Sequence, residues 1–458
     1  MRCYLKPTFW RRTAWALLAG CILLLAAGPA AAADEAMMKR MEELIQKQQR
    51  QIEAQNRAIE KLQQQVGTLS DRAVQEATAA AKKEATETAK AEVAKAVPPD
   101  VVRNENGDKV ALKLYGQANR AYLFADDGDS SDSYFVDNDN SSSRVGALAE
   151  AQVNDDITFG GRLEIEYQSN PSNVVNQDDK NPGDSGNGTG FDERWVDAQI
   201  TSKRFGKLYL GKGSTASDGT SEVDLSGTSV VAYSSISDMA GGIRFYDDDT
   251  NTLTNTDVGD AFDNFDGLSR RNRLRYDSPT FWGFQLGGSV LSDGGDVALK
   301  YAAKWGENWK FAAAASYANP QAQKNDIDDQ VSGSASILHS SGLNLTLAGA
   351  IADLRHDEEN PDGSSRSDDP KYMYAKLGYR SNLFKFGETR FSVDFARSDD
   401  RDQDRDEATT IGAAIVQDLS QWGMEYYLGY RWHELDRGEG STDFDSINAV
   451  MSGVRVKF

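Results

Sequence analysis

The 458-residue chain has two cysteines, Cys3 and Cys21, and none after them. Beyond residue 21 there is therefore no disulfide, no thiol nucleophile and no cysteine metal site. Histidine is almost as scarce: His339, His356 and His433 are scattered, without metal-ligand spacing. No G-x-S-x-G, P-loop or zincin motif occurs, so the sequence predicts no enzyme activity, no cofactor and no metal centre. Positive charge is in short supply, with 50 Lys+Arg against 71 Asp+Glu and a net charge of −21. That balance argues against nucleic acid as a partner. Apolar runs long enough for a membrane helix are missing after Ala33, and the mean hydropathy is −0.58. A transmembrane β-barrel survives these exclusions, because its lipid-facing and lumen-facing residues alternate and average out.

What is present begins with an address. Arg2, Lys6, Arg11 and Arg12 flank an apolar stretch over 14–27, and Ala31-Ala32-Ala33 offers a small-residue cleavage site. The pattern predicts a signal peptide over 1–33 and a processed start at Asp34. An uncleaved anchor is disfavoured by the short apolar run. A lipoprotein box at Leu18-Ala19-Gly20-Cys21 is disfavoured because Ile22-Leu23-Leu24-Leu25 continues that run, and Arg11-Arg12 stands alone as a twin-arginine signal. Cleavage removes both cysteines and four basic residues, leaving a thiol-free, still more acidic chain suited to an oxidising periplasm.

A heptad follows over 34–70. Met38, Ile45, Ile52, Ile59 and Val66 occupy a positions; Met41, Gln48, Gln55, Leu62 and Leu69 occupy d positions. The narrow apolar seam predicts an α-helical coiled coil in the periplasm, with Gln48 and Gln55 setting register or strand number. Residues 71–109 form an Ala/Lys/Glu-rich helical spacer and linker, broken at Pro98-Pro99.

From residue 110 the period changes to two. Ile157, Phe159, Leu163, Ile165 and Tyr167 share one face, while Thr158, Arg162, Glu164 and Glu166 share the other. Trp422, Met424, Tyr426, Leu428, Tyr430 and Trp432 alternate in the same way with Glu425, Arg431 and His433. These are strands with one apolar side. Aromatics gather at strand ends, as at Trp282, Trp305, Trp309, Tyr317, Trp422 and Trp432, and short connections alternate with long ones. Both features point to lipid rather than to a soluble core, with the long loops outside the cell. The prediction is an all-β transmembrane barrel of 16 antiparallel strands over 110–458. An even count returns the last strand to the side of the first.

Several stretches resemble the trimeric general porins of the Gram-negative outer membrane. They are Leu114-Tyr115-Gly116, Ser143-Arg144-Val145-Gly146, Gly206-Lys207-Leu208-Tyr209-Leu210-Gly211, and the run from Arg270 through Asp277-Ser278-Pro279 to Phe281-Trp282-Gly283-Phe284. The chain also ends in Phe458, which in that family signals barrel assembly. The N-terminal extension resembles that of some phosphate-selective porins. The resemblance implies a homotrimer in contact with outer-membrane lipid and lipopolysaccharide, passing small hydrophilic solutes and ions. It also implies an inward-folded third loop facing a wall of arginines. On this sequence the loop is 214–268, with Asp218, Glu222, Asp224 and Asp238, and the matching wall residues are Arg144, Arg162, Arg271 and Arg273. Opposed charges order water and penalise apolar solutes. The acidic balance predicts a weak cation preference; a phosphate- or anion-selective pore is the alternative, and a coiled-coil tether to peptidoglycan would be an added role. The Asp-rich loops lack EF-hand spacing and read as solvated surface.

Overall fold

The computed structural model describes residues 110–458 except 186–189, 321–325, 356–357, 359, 361–365 and 439–443, all in one compact unit. The expected signal peptide, coiled coil and spacer fall outside the described residues. Nineteen strands occur among those described: β1 (Val110–Asp126), β2 (Ser131–Asp137), β3 (Arg144–Gln152), β4 (Ile157–Gln168), β5 (Gly190–Ser202), β6 (Gly206–Ser214), β7 (Arg244–Asp247), β8 (Thr252–Asp257), β9 (Arg270–Asp277), β10 (Phe284–Leu291), β11 (Gly294–Trp305), β12 (Trp309–Asn319), β13 (Ile327–His339), β14 (Leu343–Leu354), β15 (Lys371–Phe384), β16 (Gly387–Asp399), β17 (Glu407–Leu419), β18 (Met424–Asp436) and β19 (Ile447–Lys457). All but β2, β7 and β8 are barrel staves, which gives sixteen. Each pairs antiparallel with the next, and β1 closes on β19 from Gln117↔Lys457 to Asp126↔Asn448. Closure leaves no open edge, which is what a sheet in hydrocarbon requires.

Two features depart from the expected outline. Residues 126–141 are not only loop. β2 pairs with the outer half of β1, while β3 pairs with its inner half through Gln117↔Arg144. The connection after β6 is also more than a loop: it holds the β7–β8 hairpin and a one-turn helix, α2 (Val258–Ala261), capped reciprocally by Asp257 and Asp260. A second one-turn helix, α1 (Pro182–Ser185), lies between β4 and β5.

Along the staves, apolar side chains point outward and polar or small ones inward. In β18, Tyr426, Leu428 and Tyr430 are exposed, while Tyr427 and Arg431 are buried. The end bearing the short turns carries Phe205, Trp282, Trp305, Trp309, Trp422 and Phe458, all exposed, as an interfacial girdle requires. The last residue is stitched in by two backbone bonds, Gly116 N–H to Phe458 O at 2.8 Å and Phe458 N–H to Gly116 O at 3.0 Å. A β-carbon on Gly116 would lie 2.5 Å from the Phe458 ring, so the glycine of the Leu-Tyr-Gly motif makes room for the terminal aromatic.

Candidate functional site

Residues 215–269 fold into the barrel rather than away from it. Their apolar side chains, among them Val230, Val231, Ile236, Met239, Phe262 and Phe265, are buried in one cluster with Ala350, Ala352, Tyr372, Tyr374, Ala396 and Tyr427 of the inner wall. The polar seam is built from serines. Ser334 Oγ accepts from Val223 N–H at 2.8 Å and donates to Thr220 O at 2.7 Å, and Ser336 Oγ accepts from Leu225 N–H at 3.0 Å. Farther round, Tyr372 donates to Ser234 O, and Gln330 donates to Phe265 O at 2.9 Å. At Gly429 a β-carbon would sit 2.5 Å from Val231 Cγ2, so the loop seats where the wall has no side chain.

Asp224 is part of that seam, which corrects its expected place in the pore. Its carboxylate receives Lys376 Nζ at 2.6 Å, the backbone and hydroxyl of Ser226 at 2.8 Å each, and Thr346 Oγ1 at 3.2 Å. The Asp224 and Lys376 side chains are 4% and 0% exposed. Burial opposes ionisation, but the ammonium and the Ser226 bonds overcome it and hold this carboxyl below its ordinary range.

Between the loop and the opposite wall lies a water-accessible space of about 620 Å³. Arg144, Arg194, Arg270 and Arg455 line it with Glu166 and Asp139, and the loop contributes Asp218, Glu222, Asp238, Asp263 and Asp266. Seven carboxylates thus share the space with four guanidinium groups. On the loop side, Tyr233 and Ser235 donate to Asp238, Asn264 donates to Glu222 at 3.2 Å, and Ser221 donates to Asp266 through N–H and hydroxyl at 3.0 and 2.7 Å. Burial, reinforced by neighbouring acids, raises Glu222 well above the ordinary carboxylate range and Asp238 to about 7; Asp266 and Asp139 are raised for the same reasons.

Of the predicted wall residues, only Arg144 reaches this space. Arg162 lies on Trp195, 4.0 Å from the ring centroid, and pairs with Glu164 at 2.5 Å. Arg273 is buried against Asp197 at 2.7 Å and also bonds Ser214 O and Gly211 O, bracing β5, β6 and β9. Arg271 is exposed and outside the lining; its neighbour Arg270 takes the position. The chain enters β9 through Ser269 at φ 54°, which breaks the simple alternation there. Arg194 was missed for a related reason. The register of β4 and β5 slips between Glu164↔Trp195 and Ile165↔Glu193, so Arg194 is an extra residue at a bulge and turns inward beside Trp195. It donates to Glu164 at 2.8 Å and pairs with Glu166. Asp218 and Glu222 line the space from the loop side.

A family model for Gram-negative porins matches residues 77–438. The chain belongs to the Gram-negative porin family. No curated protein sequence matches this porin. Among solved structures it is similar to an anion-selective porin from Comamonas acidovorans, at 16% identity over 76% of this chain and 100% of that one, TM-score 0.48. It is also similar to OmpF of Salmonella typhi in complex with daunomycin, at 14% identity over 77% and 98%, TM-score 0.48. The channel DcaP of Acinetobacter baumannii gives 12% identity over 78% and 99%, TM-score 0.46. With family and closed barrel together, this porin is an outer-membrane channel.

Proposed function

We propose that this porin is a homotrimeric, weakly cation-preferring diffusion channel for small hydrophilic solutes, with an electrostatic constriction and no catalytic chemistry. The excess of carboxylates over guanidinium groups around the 620 Å³ space carries the ion preference. The preference is weak because burial favours the protonated form of the loop acids, Asp238 up to about 7, and because arginines line the same space. The trimer follows from the sequence resemblance, with outer-membrane lipid and lipopolysaccharide around it and the N-terminal heptad in the periplasm, where it would reach peptidoglycan. The zero-current potential across a KCl gradient in a planar bilayer tests the reading. A cation-selective sign that shrinks in high salt is expected; clear anion selectivity, or conductance saturable by phosphate, would favour the phosphate-channel alternative.

A further inference from the structure

Beneath the seated loop, at the end bearing the short turns, the inner wall carries two pairs of like charges. Arg380 and Arg390 stand directly opposite each other across β15 and β16, and both reach the loop backbone, at Leu225 O and Gly227 O. Like charges in that position repel. Glu388 resolves the conflict, because its carboxylate receives Arg380 at 3.0 and 2.7 Å and Arg390 at 2.8 Å. Lys304 and Lys310 stand directly opposite each other across β11 and β12 in the same way. Both belong to the inner face. Lys304 shares that face with Lys300, which donates to Asp218 O of the loop at 3.4 Å, and Lys310 is paired with the buried Leu338. Neither lysine has an ion-pair partner among the described residues. They border a hollow of about 470 Å³, to which Asn308 and Asn382 add amides, Ser340 and Ser341 hydroxyls, and Trp309 a ring.

We infer that this hollow binds hydroxylated carboxylates of the sugar-acid class from the periplasmic side, with the carboxylate between Lys304 and Lys310. The inference rests on the channel reading above and adds a second site to it, away from the constriction. A carboxylate there does for the lysines what Glu388 does for the arginine pair. It turns a repulsive cross-strand contact into charge-assisted hydrogen bonds. The hydroxyls of such a solute find amide and hydroxyl partners around them. A neutral sugar gains those partners but not the lysines. Both lysines are exposed, so binding is weak and reversible. An occupied site also places a negative charge at the periplasmic mouth, which pushes the ion preference of the pore toward cations.

Planar bilayers holding the full-length protein test the inference, with glucuronate as the probe and glucose as the neutral control. Glucuronate added at one face, and not at the other, should shift the zero-current potential in a KCl gradient toward greater cation preference, and the shift should saturate. Glucose should leave the potential unchanged from either face. Lys304→Gln and Lys310→Gln should each raise the half-saturating concentration roughly twofold to fivefold, the range for partly solvated ion pairs. Lys304→Glu, which supplies the carboxylate from the chain itself, should abolish the saturable shift. Lys385→Gln, exposed at the same end but outside the lining, should leave it alone. A shift that never saturates, that is equal from both faces, or that both glutamine variants leave unchanged would overturn the inference. Failure of the channel reading itself would look different: no conductance before any probe is added.

Discussion

Replacing Lys376 with methionine should unseat the inward loop. The substitution keeps most of the side chain's length and removes the ammonium that lies 2.6 Å from Asp224 and 2.7 Å from Ala232 O. Removing one partner of a buried ion pair costs about 3–5 kcal/mol, because the other charge is left unpaired. Asp224 retains its Ser226 and Thr346 bonds, which places the expected cost near the lower figure, about 3 kcal/mol. At about 1.4 kcal/mol per factor of ten, that is roughly a hundredfold shift from seated toward unseated loop. The barrel itself should survive, since its sixteen staves are held by their own ladders. The readout is single-channel current, with higher mean conductance and larger open-channel noise expected in Lys376→Met. Adding Asp224→Asn removes the stranded charge and should restore most of the wild-type behaviour. Because Asp224 is held below its ordinary range, its pairing is complete above that range and is lost only as pH falls through the depressed value. The loop therefore stays seated at neutral and mildly acid pH. Unchanged conductance and noise in Lys376→Met, or a double variant as disturbed as the single one, would refute the reasoning.

Ion preference should follow the raised acids: Asp238 ionises only as pH rises through about 7, and burial beside other acids raises Glu222 too, so zero-current potentials should show cation preference growing from pH 5 to pH 8. The sign for stability is opposite, since the folded loop binds protons that an unfolded chain releases. Its thermal stability should therefore fall as pH rises from the ordinary carboxylate range to about 7. Gly429→Val forces a side chain into Val231 and should cost about 1–3 kcal/mol in heat-modifiability assays while altering conductance. Deleting Phe458 removes the paired terminal residue that fills the space above Gly116, and should reduce the yield of folded barrel on heat-modifiability gels while leaving expression intact.

The staves were legible because lipid on one side and lumen on the other impose strict period two, and the sixteen-strand count needed no other information. β2 was not, because Asp and Ser residues at 129–133 read as loop, and only pairing with the outer half of β1 makes a strand of the segment. The seat of the inward loop had a signal that went unused. Ser332, Ser334 and Ser336 alternate on one face of β13, and Ala348, Ala350 and Ala352 on one face of β14. A wall facing open water has no need of small, weakly polar side chains in register. A wall that must accept another segment does.

The arginines mark a deeper limit. Alternation states which face a side chain takes, but a constriction depends on which charges remain unpaired there. Arg273 obeys the alternation and is spent on Asp197, while Arg194 breaks it through a bulge and Arg270 through the bent entry to β9. Three strands must come together before Asp197 can find Arg273, and no local pattern records that meeting. Arg144 and Arg270, which have no carboxylate partner among the described residues, are therefore defined by what the surrounding pairs leave over. For the same reason, the net charge of −21 predicts the sign of the mouth but not the chemistry of its narrowest point.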